Sequence, residues 1–295
     1  MLRHGRKLLR RVASLMPDAG RHAGQHVNER MQRVFTDADL HAVPSDWRIG
    51  GPDFVGVAGA KAGTSWWYSL LIDHPQILPN RLHQKELCYF HHFGYERIGE
   101  EQCTLYHRAF ASPPGAICGE WSPAYLIYPF CLHHLARAAP EVRILVILRN
   151  PVDRTISHLN QLYSVRLPSF SLPKTLGEVF KTFSLYPEAI FQSLYAHPLR
   201  QLFRYFDRKQ ILLLQFEHCA ADPEGQIART YRFLGVDDAF KPPHLRRSVN
   251  RKSYVVDRLD EPQRRQMADY FRDDVLATTQ LAPEIDLSWW SDFSG

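Results

Sequence analysis

The chain has few cysteines, and they form no pattern typical of a disulfide framework or a zinc site. Its 295 residues contain five, odd in number, widely scattered and without a Cys-x-x-Cys pair. A disulfide scaffold needs an even, regularly spaced set, and a structural zinc site needs clustered ligands. We therefore expect reduced thiols inside a cell. The five are Cys88, Cys103, Cys118, Cys131 and Cys219.

Long apolar runs are also missing. No stretch approaches the ~18 apolar residues that a membrane-spanning helix needs, and no apolar signal-peptide core is present. These absences favour a cytoplasmic protein, either soluble or attached peripherally to a membrane surface. The net charge of +5 suits a polyanionic ligand, but it equally suits a membrane surface or nucleic acid, so charge alone decides nothing.

Acidic side chains are absent before Asp18, whereas five arginine and lysine side chains precede it. Leu8, Leu9, Val12 and Leu15 could line one face of a short amphipathic helix that touches an anionic membrane. A solvated arm and an organellar transit peptide have a similar composition. We expect residues 1–48 to form a basic arm and residues 49–295 to form one α/β domain.

The most informative stretch is FVGVAGAKAGTSWWYSLLIDHP, from Phe54 to Pro75. It predicts a short buried strand, a glycine-rich turn and a helix that stops near the proline. Backbone amides in such a turn can approach an anion, and the start of the helix adds partial positive charge. Lys61 adds a full charge, and Thr64 and Ser65 add hydroxyl donors. The turn therefore predicts a site for a phosphate or sulfate ester.

This turn differs from the Walker A loop, in which the lysine follows the last glycine. Its order, KAGTS, resembles the 5′-phosphosulfate loop of sulfotransferases that use 3′-phosphoadenosine 5′-phosphosulfate. The resemblance implies a lysine that stabilises the leaving phosphate oxygen, a cradle for the 5′-phosphate, and a tryptophan able to stack on the adenine. A glycine turn in some other α/β protein is the alternative for this stretch taken alone. The residues concerned are Lys61, Ala62, Gly63, Thr64, Ser65 and Trp66.

A second anion-binding element lies in VRILVILRNPVDRTISHLNQL, from Val142 to Leu162. Its apolar run predicts a central parallel strand ending at Arg149, followed by a helix with Pro151 in first position. Arg149 and Ser157 can converge on one anion at the carboxyl end of the strand, where open α/β sheets bind ligands. Their spacing resembles the family's element for the donor's 3′-phosphate. Two such elements in the right order make the chain similar to these sulfotransferases.

The candidate general base is Glu86, which follows Lys85 and leads into an apolar, aromatic segment. A glutamate in buried surroundings acquires a raised pKa suited to proton abstraction. The segment resembles the K-E-x-x-[FY]-F stretch of glycan-type sulfotransferases, which implies that Glu86 deprotonates the acceptor hydroxyl. An exposed ion pair between the two residues is the structural alternative. Three histidines nearby are alternative bases: His83, His91 and His92.

Trp121 stands where the glycan-type family often has a lysine, in an element written G-E-K-[ST]-P-x-Y. Either a different cation replaces that lysine or the acceptor site is built differently, and the indole ring is a candidate for stacking on a sugar or lipid-linked group. Packing in the core is the alternative. Tyr195 is a second candidate near the substrate, because it stands where the family has a tyrosine, although core packing explains it equally well.

Three further predictions concern the second half of the chain. Arg251 and Lys252 are candidates to fold over the donor's 3′-phosphate, although the family's glycine is missing there. Arg154 and His158 share a helix face and are expected to be a solvated pair. The segment from Leu185 to Phe206 is expected to be helical in two pieces around His197-Pro198.

The resemblance covers Pro52 to Trp290 and implies a P-loop-like three-layer α/β fold, with a central parallel sheet of four to five strands and helices on both faces. It implies in-line transfer of a sulfonate group from 3′-phosphoadenosine 5′-phosphosulfate (PAPS) to a hydroxyl or amine, with adenosine 3′,5′-bisphosphate (PAP) as product. We expect a carbohydrate or glycolipid acceptor, no nucleic-acid partner, and no metal, because lysine and amide donors replace magnesium. The alternatives are a nucleotide kinase or NTPase with an atypical loop, and a non-catalytic nucleotide-binding adaptor.

Overall fold

The computed structural model describes residues 34–166, 187–245 and 260–294. Within them the chain forms five strands and nine α-helices. The strands are β1 (Phe54–Ala58), β2 (Ile77–Pro79), β3 (Ile117–Trp121), β4 (Arg143–Leu148) and β5 (Ile211–Gln215). The helices are α1 (Thr64–Ile72), α2 (Glu100–Arg108), α3 (Pro129–Ala138), α4 (Pro151–Arg166), α5 (Glu188–Phe191), α6 (Ala196–Tyr205), α7 (Phe216–Ala221), α8 (Pro223–Leu234) and α9 (Glu261–Leu281).

The five strands form one parallel sheet in the order β2-β3-β1-β4-β5. The chain winds from β1 to β2 and β3 on one side, then crosses to β4 on the other side, so the winding reverses beside β1. In open parallel sheets, the strand ends at such a reversal border a crevice where ligands bind. The carboxyl ends of β1 and β4, which carry the two predicted anion elements, are therefore neighbours.

Helices cover both faces of the sheet, because alternate residues of a strand point to opposite sides. In β1, Val55 and Val57 pack in one core cluster with residues of α3, α6 and α9, whereas Phe54 and Ala58 pack in another with residues of α1 and α8. Strands buried on both faces need continuous apolar runs, and β1, β4 and β5 have them. The predicted three-layer fold is confirmed.

Local capping signals set the start of the helix after β4. Pro151 is the first residue of α4, and the Asn150 side chain accepts a hydrogen bond from the Val152 amide at 3.0 Å. A proline fits this position because the amide it lacks has no partner inside the helix. The predicted start of this helix is confirmed.

Two expectations about secondary structure need correction. The three-residue edge strand β2 was not predicted, because so short a segment has too few residues to show periodicity. The helical segment is broken at Gln192–Tyr195, between α5 and α6, and not at His197-Pro198. Pro198 lies in the first turn of α6, where a missing amide costs no helical hydrogen bond.

Residues 34–48, the described part of the predicted arm, pack against the α/β domain. Leu40 is buried, the Phe35 and Tyr89 ring centroids are 4.9 Å apart, and Arg48 is ion-paired with Asp53 at 2.6 Å. The domain boundary near residue 48 stays a prediction. Among all described helices, none combines the length and apolar character that crossing a membrane requires.

Candidate active site

The phosphate loop between β1 and α1 has the backbone conformation of an anion cradle. Lys61 and Gly63 have positive φ angles of 74° and 92°, and Ala62 between them is fully buried. A Cβ added at Gly63 would lie 2.5 Å from the Phe216 ring, so the loop and this ring fit closely only with glycine at that position. Gly63 is also the residue that precedes α1, which places the amides of the helix start at the loop.

Polar groups from α4 and from the turn after α5 form hydrogen bonds with the backbone of the phosphate loop. The Arg154 guanidinium donates to the Ala60 carbonyl at 2.8 Å, and the Ala60 amide donates to the Gln192 side-chain oxygen at 2.8 Å. Arg154 is completely buried, and His158 lies 3.3 Å from it with 7% exposure. Burial lowers the pKa of Arg154 to about 10. The expectation of a solvated Arg154–His158 pair is therefore wrong.

Arg149 joins the two predicted anion elements. Its guanidinium donates to the Lys61 carbonyl at 3.1 Å and lies 4.8 Å from the centroid of the Phe216 ring. Its buried Nε has no hydrogen-bond partner among the described residues. Ser157 lies two turns along α4 and is partly exposed. A buried donor is costly to leave unpaired, so the arrangement is suited to an acceptor supplied by a ligand.

Lys85 and Glu86 lie against the other side of the phosphate loop. The Lys85 ammonium donates to the Thr64 hydroxyl at 3.0 Å, the Ser65 hydroxyl at 3.2 Å and the Glu86 carboxylate at 2.8 Å. The Glu86 side chain is 47% exposed. The expected burial of Glu86 is therefore wrong, and the ion pair is present. Exposure leaves this carboxylate open to an incoming hydroxyl group beside the loop.

A buried carboxyl group, Glu120 at the end of β3, fixes the segment that follows Glu86. Glu120 is fully buried and accepts hydrogen bonds from the Leu87 amide at 3.1 Å, the Tyr106 hydroxyl at 2.7 Å and the Ser122 hydroxyl at 2.5 Å. Burial raises the pKa of this carboxyl to about 7, against the opposing effect of these donors. The sequence analysis did not single out Glu120.

The raised pKa of Glu120 predicts a pH-dependent contribution to stability. The folded chain holds the proton more tightly than the unfolded chain, so this contribution is complete below about pH 4.5 and is lost as the pH rises through about 7. Since one pKa unit is worth about 1.4 kcal/mol, wild type should lose ~3 kcal/mol more than Glu120→Gln between about pH 4.5 and pH 8. Urea unfolding of both proteins measures this difference. Identical pH profiles would contradict it.

The aromatic site candidates occupy different environments. Trp121 is fully buried, and a Cβ added to Gly56 would lie only 2.0 Å from its ring. This close fit favours core packing over contact with an acceptor. Tyr195 is also buried, and its hydroxyl donates to the Arg149 carbonyl at 2.7 Å, so it supports the second anion element. Trp66 is partly exposed, and its indole donates to the Leu245 carbonyl at 3.2 Å.

The remaining candidates are less informative. Arg251 and Lys252 lie outside the described residues. His83 is exposed, whereas burial lowers the pKa of both His91 and His92 and so favours their neutral forms. Sequence reasoning also did not single out Phe216, which contacts Gly63 and Arg149. The signal was its place directly after β5, at the same edge of the sheet as both anion elements.

Comparison with known proteins agrees with this geometry. The sequence model of the Sulfotransferase family matches residues 52–241. The chain belongs to the sulfotransferase family. This sulfotransferase is 29% identical over 201 residues to Mus musculus heparan sulfate glucosamine 3-O-sulfotransferase 6, covering 66% of this chain and 55% of the mouse protein. The chain thus spans about half the length of that relative.

Two further comparisons bear on the fold. The sulfotransferase is 25% identical over 200 residues to Mus musculus bifunctional heparan sulfate N-deacetylase/N-sulfotransferase 4, covering 63% of this chain and 22% of that protein. A solved sulfotransferase from Alicyclobacillus acidocaldarius superposes with a TM-score of 0.64 and 28% identity, covering 82% of this chain and 100% of that one.

Proposed function

We propose that this sulfotransferase transfers a sulfonate group from PAPS to a hydroxyl group of a carbohydrate or glycolipid. The observation that supports the donor is the hydrogen bond from Arg149 to the Lys61 carbonyl, because it joins the two elements that would hold a nucleotide with phosphates at both ends. An amine acceptor is compatible with the same chemistry. Membership in the sulfotransferase family supports the transfer reaction itself.

The residues at the two anion elements fit such a donor. The phosphate loop, which fits closely only with glycine at position 63, offers backbone amides to the 5′-phosphate. Thr64 and Ser65 offer hydroxyl groups. Arg149, with its unpaired buried Nε, and Ser157 would bind the 3′-phosphate. Trp66 remains the candidate for the adenine ring. Arg251 and Lys252, which lie outside the described residues, remain candidates for binding the 3′-phosphate.

The chain's own residues suit the predicted chemistry. The bound donor supplies an activated sulfonate. Lys61 stabilises the negative charge that develops on the leaving phosphate oxygen, as a preorganised cation does in other transfers. Glu86 accepts the proton of the acceptor hydroxyl, and its 47% exposure allows the acceptor to reach it. Lysine and amide donors supply the positive charge, so the scheme includes no metal.

The proposed acceptor is supported by the relatives and by the surface around Glu86. The matching region of the mouse relative belongs to a heparan sulfate glucosamine sulfotransferase, which acts on a carbohydrate by its name. Because Trp121 and Tyr195 are buried, we propose that the acceptor approaches Glu86 directly and does not stack on either ring. Contact of residues 1–48 with a membrane, and a cytoplasmic location, remain part of the proposal.

Arg149→Ala tests the donor assignment. The variant should lose a charge-assisted contact worth ~1.5–3 kcal/mol, and should bind PAP ~10-fold or more weakly. Adenosine 5′-phosphate, which has no 3′-phosphate, should be weakened far less. Calorimetry with both nucleotides measures the two changes.

A matched control is Arg143→Ala, which removes an arginine from the opposite end of the same strand, where it donates to the Leu234 carbonyl. It should leave both nucleotide affinities unchanged. Equal weakening of both nucleotides by Arg149→Ala would show that this arginine supports the loop without contacting a 3′-phosphate.

The acceptor is tested with sulfur-labelled PAPS and fractions of the native cell. Incubation of wild-type protein with lipid, polysaccharide and small-molecule fractions should place the label in glycolipid or glycan. Label recovered solely on small phenols would overturn the acceptor assignment, and consumption of ATP in place of PAPS would overturn the donor.

A further inference from the structure

Lys85 lies at the junction of the phosphate loop and the proposed base. Its ammonium has three hydrogens, and the three nearby acceptors are Thr64, Ser65 and Glu86, at 3.0, 3.2 and 2.8 Å. The Lys85 side chain is 19% exposed, in contrast to the 47% of Glu86. An exposed ion pair on a protein surface holds no fixed geometry, whereas three acceptors and substantial burial hold this ammonium in one place.

The hydroxyl groups that contact Lys85 are those predicted to bind the donor. Because Thr64 and Ser65 accept hydrogen bonds from the ammonium, their own hydrogens can point toward an anion in the loop. Lys85 therefore polarises both hydroxyl groups and adds a positive charge within hydrogen-bond distance of them. The loop sequence itself supplies a second cation, Lys61. The two lysines therefore come from different segments of the chain.

The position of Lys85 is tied to the place where glycan-type sulfotransferases often have a lysine. That place is Trp121 in this chain, whose ring is buried in the core. The Trp121 amide donates to the Lys85 carbonyl at 2.8 Å, so the two residues are adjacent across the end of β3. A cation missing from the end of β3 is thus present on the segment hydrogen-bonded to it.

We propose that Lys85 is a further catalytic residue, whose ammonium binds the oxygens of the transferring sulfonate in place of the lysine absent at Trp121. This inference rests on the proposed PAPS-dependent function. Preorganised positive charge at the place where charge is redistributed stabilises the transition state without any reorganisation during the step.

The transfer step balances with Lys85 in this role. A bond forms between the acceptor oxygen and sulfur while the bond from sulfur to the phosphate oxygen breaks, and the electron pair stays on that phosphate oxygen near Lys61. The acceptor proton moves to the Glu86 carboxylate. Lys85 keeps its protons throughout, and exchanges its contact with Glu86 for one with the sulfonate, which frees the carboxylate to accept the proton.

Lys85→Met tests this role, since methionine keeps the approximate length of the side chain without its charge. Without acceptor, calorimetry should show PAPS binding at least ~10-fold weaker, because a charge-assisted contact is lost. PAP lacks the sulfonate but keeps the 5′-phosphate beside Thr64 and Ser65, so its affinity should fall by a clearly smaller factor than that of PAPS. Turnover with the labelled acceptor fraction should fall ~10²–10³-fold, as for the loss of one oxyanion donor. Lys85→Arg should restore part of the PAPS affinity.

The matched control is Lys241→Met, which removes a lysine from an exposed ion pair with Glu224 and should change neither affinity. Thermal unfolding checks that each variant is folded. Equal weakening of PAPS and PAP by Lys85→Met, or no change in either, would overturn the inference while leaving the donor assignment intact. If wild type binds neither nucleotide, the donor assignment fails first and the inference fails with it.

Discussion

Glu86→Gln is expected to reduce sulfonate transfer by about 10²–10⁴-fold, the range typical for loss of a general base. The amide has nearly the shape of the carboxylate, but it cannot accept the acceptor's proton. Glu86 lies beside the phosphate loop through its ion pair with Lys85, and its exposed side chain does not belong to the core. Folding should therefore be unaffected, and PAP affinity should stay within about twofold of wild type, since PAP carries no acceptor.

Labelled transfer into the glycolipid or glycan fraction measures the effect of Glu86→Gln on turnover. Glu224→Gln is the matched control, because Glu224 is also in an exposed ion pair with a lysine, Lys241, but lies on α8. The control should retain full turnover. Undiminished transfer by Glu86→Gln would assign proton abstraction to another group, with His83, His91 and His92 as the next residues to test.

Gly63→Ala is expected to weaken PAP binding by ~10²-fold or more. The new Cβ would lie 2.5 Å from the Phe216 ring, and the residue has a φ of 92°, which is unfavourable for alanine. Left-handed backbone costs about 1–2 kcal/mol and overpacking about 1–3 kcal/mol, so movement of the loop or the ring is the expected relief. Either movement disturbs the donor site, because Phe216 also contacts the Arg149 guanidinium.

The control for Gly63→Ala separates backbone strain from steric overlap. Gly115 also has a positive φ, 81°, but a Cβ added there meets no atom within 4 Å. Gly115→Ala should therefore cost some stability and leave PAP affinity unchanged. Calorimetry and thermal unfolding of both variants measure the two effects. If Gly63→Ala binds PAP as tightly as wild type, the loop does not require the close fit with Phe216.

Sequence reasoning predicted the parts of this protein that depend on short stretches of chain. The apolar runs of β1 and β4 predicted buried strands, because only apolar side chains suit strands covered on both faces. Pro151 predicted the start of α4, because the fixed φ of proline suits the first helical position. The loop from Lys61 to Ser65 and the strand end at Arg149 came from residue order and spacing alone.

The strand order of the sheet brings these parts together, and no local sequence pattern predicts that order. The loop after β1 and the strand end at Arg149 meet because β1 and β4 are neighbours in the sheet. The predicted position of the helix break, at His197-Pro198, was wrong for a related reason. A proline is compatible with either a break or a first helical turn, and packing of α6 decided between them.

The environments of the charged and aromatic side chains were decided by the tertiary structure. Arg154 is buried because it contacts Ala60, 94 positions away, and Glu120 is buried where Leu87 and Tyr106 donate to it. Lys85 reaches Thr64 across 21 positions. Sequence determines which groups can ionise, donate or accept. Burial, ion pairing and pKa depend on neighbours that folding brings together, so only the tertiary structure determines them.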